Sequence, residues 1–426
     1  MIKSKFHTTI TSAISSASVG FAKLTSVALL GASLTLVGCQ STGSSQVSVG
    51  PSVGPGSTKA LGDKTKVYTY NSDIYLDVAI PVFDPGIPED YNELTENSIW
   101  PQLRRAESNR FAMMTKKALE ATGAFGTISV VPTPEATADL YILGRIENSN
   151  AEDIELVIEI VDISGRRWDA EKFEHRVSLG FFRDKKNKGG DPYKPVFNDV
   201  ADHIYNLLVK KTDEEKSNIK QITDIRFAQS FSPESFGQHL KSDSKGRVNL
   251  TSLPSKEDPM LGRVKPLRVQ DQLFIDRIQD QYEGFTEKTD DSYRLWQEKT
   301  LPAAVAAREA ENKAMAKGIL GGLLAVIGGV NAQHDLSTTS KVLTGVTALA
   351  GAYLLKDSFG ESKEAEQHRA TIDEMGESLD IKMDPQVMSL EDKTVELTGT
   401  SEEQYIQWKA HLKRVYAMEQ TPTTKL

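Results

Sequence analysis

Few residues in this chain have the type and spacing to do chemistry, and the clearest is Cys39, the single cysteine among 426 residues. A lone thiol excludes a disulfide framework, a CxxC redox pair and any multi-thiolate metal site. The sequence contains no HExxH, no GxSxG, no P-loop and no strand-linked GxGxxG. Six histidines follow Cys39, at His175, His203, His239, His334, His368 and His411. No two of them stand within five residues, so no short metal-ligand pair can be read. Asp and Glu total 59, yet spacing singles out no catalytic pair. A carboxylate hydrolase is the minor alternative, because its two acids meet only in the fold. The expectation is a non-enzymatic protein with no cofactor and no metal.

What Cys39 can do is set by the residues before it. Residues 1–38 carry Lys3, Lys5 and Lys23 and no Asp or Glu. An apolar run from Leu24 to Gly38 follows, too short for a comfortable bilayer span and ending in small residues. The run closes as Leu36-Val37-Gly38-Cys39. This resembles the lipobox of bacterial lipoproteins: a bulky apolar residue, a tolerant position, a small residue, then the acylated cysteine. The alternatives are an ordinary signal peptide with a stray cysteine, or a transmembrane anchor. The resemblance implies that Cys39 becomes the first mature residue and carries the lipid. With Gln40 rather than Asp in the next position, it also implies the periplasmic face of the outer membrane. Cleavage after Gly38 leaves 388 residues and, by removing three lysines and no acid, moves the formal charge from −9 to −12. Each buried acyl CH₂ contributes about 0.8 kcal/mol, so several chains on one residue anchor stably.

The rest of the chain is ordinary globular material, 39% hydrophobic and 26% charged. Its acidic balance and the absence of a long Lys/Arg run exclude a free-standing nucleic-acid binder. Residues 39–60 are rich in Ser, Gly, Val and Pro, with Ser48-Val49-Gly50-Pro51 repeated as Ser52-Val53-Gly54-Pro55. They read as a flexible tether.

Residues 61–215 read as an α/β domain. A strand over Ile74–Phe83 stops at Asp84-Pro85-Gly86, and a helix over Leu103–Thr122 follows, with Gly123 as its cap. Strands follow at Ile128–Val131, Leu140–Ile146, Ile154–Val161 and Trp168–Val177, then a helix that starts at Pro195. Ala138-Asp139-Leu140-Tyr141-Ile142-Leu143-Gly144-Arg145-Ile146 and Ile158 to Arg166 resemble the paired strands of a periplasmic α/β domain. That domain type is shared by the amino-terminal domain of TolB and the curli-secretion lipoprotein family. Any small α/β sandwich with an Asp-Gly-type hairpin is the other reading of the same residues. No pair of long alternating strands suggests a transmembrane β-barrel. The loop Arg183–Gly190 carries four basic residues and reads as a solvated tip or a docking point for a phosphate or an acidic partner.

Residues 216–268 show little period, and Pro233, Pro254, Pro259 and Pro266 interrupt them, so they read as an irregular linker. Phe227, Phe231 and Phe236 argue that part of it is buried. Residues 269–380 read as helical, with a new helix beginning at Pro302. Within them lies a Gly-rich hydrophobic hairpin, 318–355, whose two apolar runs, joined by a polar turn with Asn331, His334 and Asp335, carry Gly318, Gly321, Gly322, Gly328, Gly329, Gly345 and Gly351. Each glycine costs a helix about 1 kcal/mol, so this spacing points to close backbone packing. The hairpin is either buried in the protein or between subunits, or it enters a membrane surface, or it forms a Gly-rich loop. Residues 381–426 read as a strand over Val387–Thr398, a Ser401–Gln404 capping box and a helix carrying Tyr405, Trp408, Leu412 and Val415. This segment resembles half of a BON-type periplasmic module.

The fold class expected is α+β: an N-terminal α/β sandwich domain, a long helical region with a Gly-rich hydrophobic hairpin, and a small C-terminal strand–helix module. The function expected is an outer-membrane lipoprotein that assembles or docks a cell-envelope complex, as a homo-oligomer or with envelope partners. An oligomeric helical pore is the alternative.

Overall fold

The computed structural model describes residues 66–90, 94, 99–316, 363–377, 379–390 and 393–418. All of them belong to one compact unit, Pro51–Leu426. The fold is mixed α/β, with seven α-helices and nine strands among the described residues. None of those helices is long and apolar enough to cross a membrane.

A five-stranded sheet is the centre of the molecule. Its strands are β1 (Val78–Pro81), β2 (Ile128–Val131), β3 (Leu140–Ser149), β4 (Asp153–Asp162) and β5 (Arg167–Arg176), in the order β2-β1-β3-β4-β5. β1 runs parallel to β2 and β3, and β3, β4 and β5 form an antiparallel meander. The alternation in β4 decides its orientation: Ile154, Leu156, Ile158 and Ile160 are fully buried, while the residues between them are half-buried. The β4–β5 turn is set by Asp162. Its Oδ1 accepts from Ser164 N and from Ser164 Oγ, its Oδ2 accepts from Trp168 Nε1, and Gly165 takes φ +80°.

Helix α1 (Pro101–Glu120) connects β1 to β2, and helix α2 (Lys194–Leu208) follows β5. Both begin with Pro in the first turn. α2 turns Val196, Phe197, Val200, Ala201, Ile204 and Leu208 into the core and packs on α1, β4 and β5. The element order over 74–208 is the one expected from the sequence.

Residues 216–268 are not an irregular linker. They hold most of α3 (Asp213–Phe231), α4 (Pro233–Phe236), the hairpin of β6 (Leu240–Ser242) and β7 (Val248–Leu250), and the start of α5 (Pro259–Ala316). Thr212 and Glu215 close a capping box that starts α3. Pro259 opens α5 instead of breaking a helix, with Asp258 Oδ1 accepting from Met260 N. Phe227, Phe231 and Phe236 are buried, as their type suggested.

Helix α5 has 58 residues, about 87 Å at about 1.5 Å per residue. It passes through Pro266 and Pro302, so no new helix begins at Pro302. An interior Pro costs a helix about 3 kcal/mol. Here the buried Val264, Leu267, Leu301 and Val305 on either side of the two prolines hold the helix in place. α5 packs on β2, α1 and α3, and on α6 (Lys363–Met375) and α7 (Ser401–Met418). Sheet, long helix and C-terminal segment thus share one hydrophobic core.

The C-terminal strand expected over Val387–Thr398 is two strands, β8 (Gln386–Leu390) and β9 (Lys393–Leu397), paired antiparallel. The capping box of α7 is Thr400 with Glu403, one residue earlier than Ser401–Gln404. Gln404 instead donates to the carbonyls of Asp384 and Gly399. Tyr405, Trp408, Leu412 and Val415 are core residues.

Candidate functional site

The residues singled out by the sequence, Leu36, Val37, Gly38, Cys39 and the hairpin glycines 318, 321, 322, 328, 329, 345 and 351, lie outside the described residues. The densest chemistry within the described body is a buried polar centre around Glu107. α1 supplies Arg104, Glu107 and Arg110 at a spacing of three, which puts them on one helix face. That face meets α5, the β3–β4 turn and the entry to α2.

Glu107 is fully buried. Its Oε1 accepts from Ser149 Oγ at 2.5 Å and from Tyr293 Oη at 2.8 Å. Its Oε2 lies 3.4 Å from Arg104 Nε, at ion-pair distance, and has no hydrogen bond. Burial pushes the Glu107 carboxyl up to about 7, against the opposing pull of Arg104, Ser149, Tyr293 and Arg110. Arg110 Nη2 reaches both Asp191 Oδ2, at 2.8 Å, and Asp290 Oδ1, at 2.7 Å. Its guanidinium lies 4.6 Å from the centre of the Tyr293 ring. Burial raises the phenols of Tyr193 and Tyr293, so both stay protonated and act as donors.

Tyr193 ties this centre to the β3–β4 turn. Its hydroxyl accepts from Ala151 N at 2.8 Å. Ala151 is buried with φ +74°, the one non-glycine residue with positive φ among those described. Beside it, Glu152 is buried and accepts from Arg308 Nε at 2.9 Å on one oxygen and 3.0 Å on the other. Tyr293 and Arg308 thus bind two levels of α5 to the sheet through buried acids. Trp296 Nε1 and both amide atoms of Gln297, on the same stretch of α5, are buried without hydrogen bonds.

A cluster like this holds one proton near neutral pH and couples it to the packing of α5. Sequence spacing does not reveal it. The arginines and Glu107 on α1 look like a solvated helix face, and their partner Tyr293 is 186 residues from Glu107. One further group of potential metal ligands is assembled among the described residues: Asp169, Glu171 and His203. The alternation of β5 is the signal that puts Asp169 and Glu171 on one face.

Compared with known proteins, the chain matches no family model, no curated protein and no solved structure at a significant level.

Proposed function

We propose that this chain is a lipid-anchored, non-enzymatic docking or assembly component of a bacterial cell envelope, held on the periplasmic face of the outer membrane. The observation that carries this reading is Leu36-Val37-Gly38-Cys39 at the end of a basic, then apolar, amino-terminal segment. Gln40 directs the anchor to the outer membrane, and the Ser/Gly/Pro-rich stretch 39–60 separates it from the body. The body suits a scaffold. Its long helix is tied to the β3–β4 turn by the Arg308–Glu152 ion pair, and the raised carboxyl of Glu107 is sealed from solvent. In chain order α5 leads into the Gly-rich segment 318–355, which would mediate oligomerisation or membrane contact.

The test is metabolic labelling of the full chain with a palmitate analogue, followed by membrane fractionation. The wild type incorporates label and sediments with outer membranes, and Cys39→Ser loses both. Unlabelled wild type, or a Cys39→Ser protein that stays in the outer membrane, refutes the reading. A second reading, an oligomeric helical pore, is favoured by one observation: the run Gly318–Val330 carries no charge over 13 residues. Native mass spectrometry of the detergent-extracted protein separates the two. A defined ring with conductance in planar bilayers supports the pore, and a monomer supports a tethered adaptor.

A further inference from the structure

We propose that Asp169, Glu171 and His203 form a binding site for one divalent transition-metal cation of the zinc type, between the edge strand β5 and helix α2. The site lies away from the Glu107 centre and does not depend on the lipid anchor.

The register of the sheet places these residues. Asp169 pairs opposite Ile160 and Glu171 opposite Ile158, two isoleucines that are fully buried. The two acids therefore project from the core face of the sheet, the face that α2 covers. Along that column of β5 the side chains read His175, Phe173, Glu171, Asp169, so it begins buried and ends acidic. An apolar residue is what the pattern calls for at 169 and 171. Two half-exposed carboxylates side by side repel each other, and a positive charge between them relieves that repulsion.

His203 stands over them from α2. Its Nδ1 is 3.0 Å from Glu171 Oε2, and its Nε2 is 3.1 Å from Asp169 Oδ2. One ligand atom from each of the three residues lies within 4.8 Å of the others. Neighbouring corners of a tetrahedral zinc site lie about 3.3–3.5 Å apart for bonds of about 2.0–2.2 Å. One ion takes a single ring nitrogen, so one carboxylate must turn from its own nitrogen toward the other to complete the set. The Nε2 atom is buried and makes no hydrogen bond, although Asp169 faces it. The Phe173 ring packs edge-on to the imidazole at 5.5 Å between ring centres and fixes its plane.

The local charges agree. Among the described residues, His203 is the ion-pair partner of both Asp169 and Glu171. The nearby cations are engaged elsewhere, Arg167 with Glu159 and Lys172 with Glu155. The side chains of Asp169 and Glu171 are 43% and 51% exposed, which gives an ion a route in and leaves a coordination position for water. One imidazole with two carboxylates suits zinc or a neighbouring first-row ion better than calcium, which takes oxygen ligands. Bound there, the ion would pin the edge strand to α2.

The experiment uses the full-length protein in detergent, stripped with a chelator and titrated with Zn²⁺ by calorimetry. The readouts are stoichiometry, affinity and the thermal midpoint with and without the ion. The expected result is one Zn²⁺ per chain with micromolar affinity and a raised midpoint. His203→Ala and the shape-preserving pair Asp169→Asn/Glu171→Gln each weaken binding by about tenfold or more and lose the midpoint shift. Far-UV circular dichroism establishes that each variant is folded, and the carboxamide pair decides the question if His203→Ala is not. No binding to the wild type at millimolar Zn²⁺ overturns the proposal. So does binding that survives in the folded carboxamide pair, because the ion then sits elsewhere.

Discussion

The side-chain amide of Gln279 is paired with the backbone of Val130. Gln279 Oε1 accepts from Val130 N at 2.9 Å, and Gln279 Nε2 donates to Val130 O at 2.7 Å. Val130 sits in β2, an edge strand of the sheet, and an open edge exposes unpaired backbone groups. One side chain of α5 takes the place of the missing neighbour strand. Because both partners are buried, Gln279→Ala leaves a backbone donor and acceptor unsatisfied and should destabilise the fold by about 1–3 kcal/mol. Gln279→Glu keeps the acceptor but sets a buried carboxylate oxygen against the Val130 carbonyl, and should also lower the midpoint. Urea denaturation reads the difference, and an unchanged midpoint for Gln279→Ala would show that the pairing contributes nothing.

Glu107 should make stability fall as the pH rises. Its carboxyl titrates at about 7 in the fold, raised from 4.5 by burial. A folded-state value above the unfolded one means that the fold holds the proton more tightly. The contribution is therefore complete below about pH 4.5 and is lost as the pH climbs through 7. Glu107→Gln keeps an oxygen for Ser149 and Tyr293 and has no proton to lose. The stability of the wild type relative to Glu107→Gln should decline between about pH 4.5 and 7 and level off above, with a slope of up to about 1.4 kcal/mol per pH unit. A flat difference over that range would mean that Glu107 does not titrate there.

Asp139 joins three elements that are distant in the chain. Its Oδ1 accepts from Thr223 Oγ1 at 2.6 Å, its Oδ2 accepts from Asp77 N at 2.9 Å, and Lys220 Nζ lies 3.1 Å from Oδ2. The carboxylate fastens α3 to the starts of β1 and β3. Asp139→Ala strands the Asp77 N–H, while Thr223 Oγ1 keeps the Ile219 carbonyl and Lys220 Nζ the Tyr75 carbonyl, and it should cost about 1–3 kcal/mol. Hydrogen exchange should show α3 opening before the sheet in this variant. Uniform protection loss across α3 and the sheet would count against a local role.

Much of the α/β region was legible because its signal is one-dimensional. Ile154, Leu156, Ile158 and Ile160 alternate with polar or smaller residues, and each of the four is buried. Helix α3 was less legible. Thr223 and Lys216 interrupt its apolar face, yet both are buried, Thr223 against Asp139 and Lys216 paired with Asp213. Thr212-x-x-Glu215 was the local sign of its start. The Glu107 centre and the Asp169–Glu171–His203 cluster were not legible. Their members are ordinary surface types whose partners are set by strand register and by α5. The conspicuous Ala138-Asp139 and Gly144 of the β3 segment have structural tasks in this fold: Asp139 ties down α3, and Gly144 makes room for Phe83.

That last relation gives a prediction about packing. Gly144 lies under the ring of Phe83, and a Cβ added there would come within 2.4 Å of the ring atoms Cε1 and Cζ. Phe83 is fully buried, so the ring cannot swing out into solvent. Gly144 N and O stay in the β3–β4 ladder and its neighbourhood, with Asp84 N donating to Gly144 O at 2.8 Å, so the backbone cannot easily retreat either. Gly144→Ala should therefore cost about 1–3 kcal/mol through overpacking. Phe83→Leu alone should cost a similar amount by leaving a cavity. Combined, the two should cost less than their sum, because the smaller side chain at 83 accepts the added methyl. A double-mutant cycle from urea denaturation measures the coupling. A coupling within about 0.5 kcal/mol of zero would place the cost of Gly144→Ala somewhere other than the Phe83 ring.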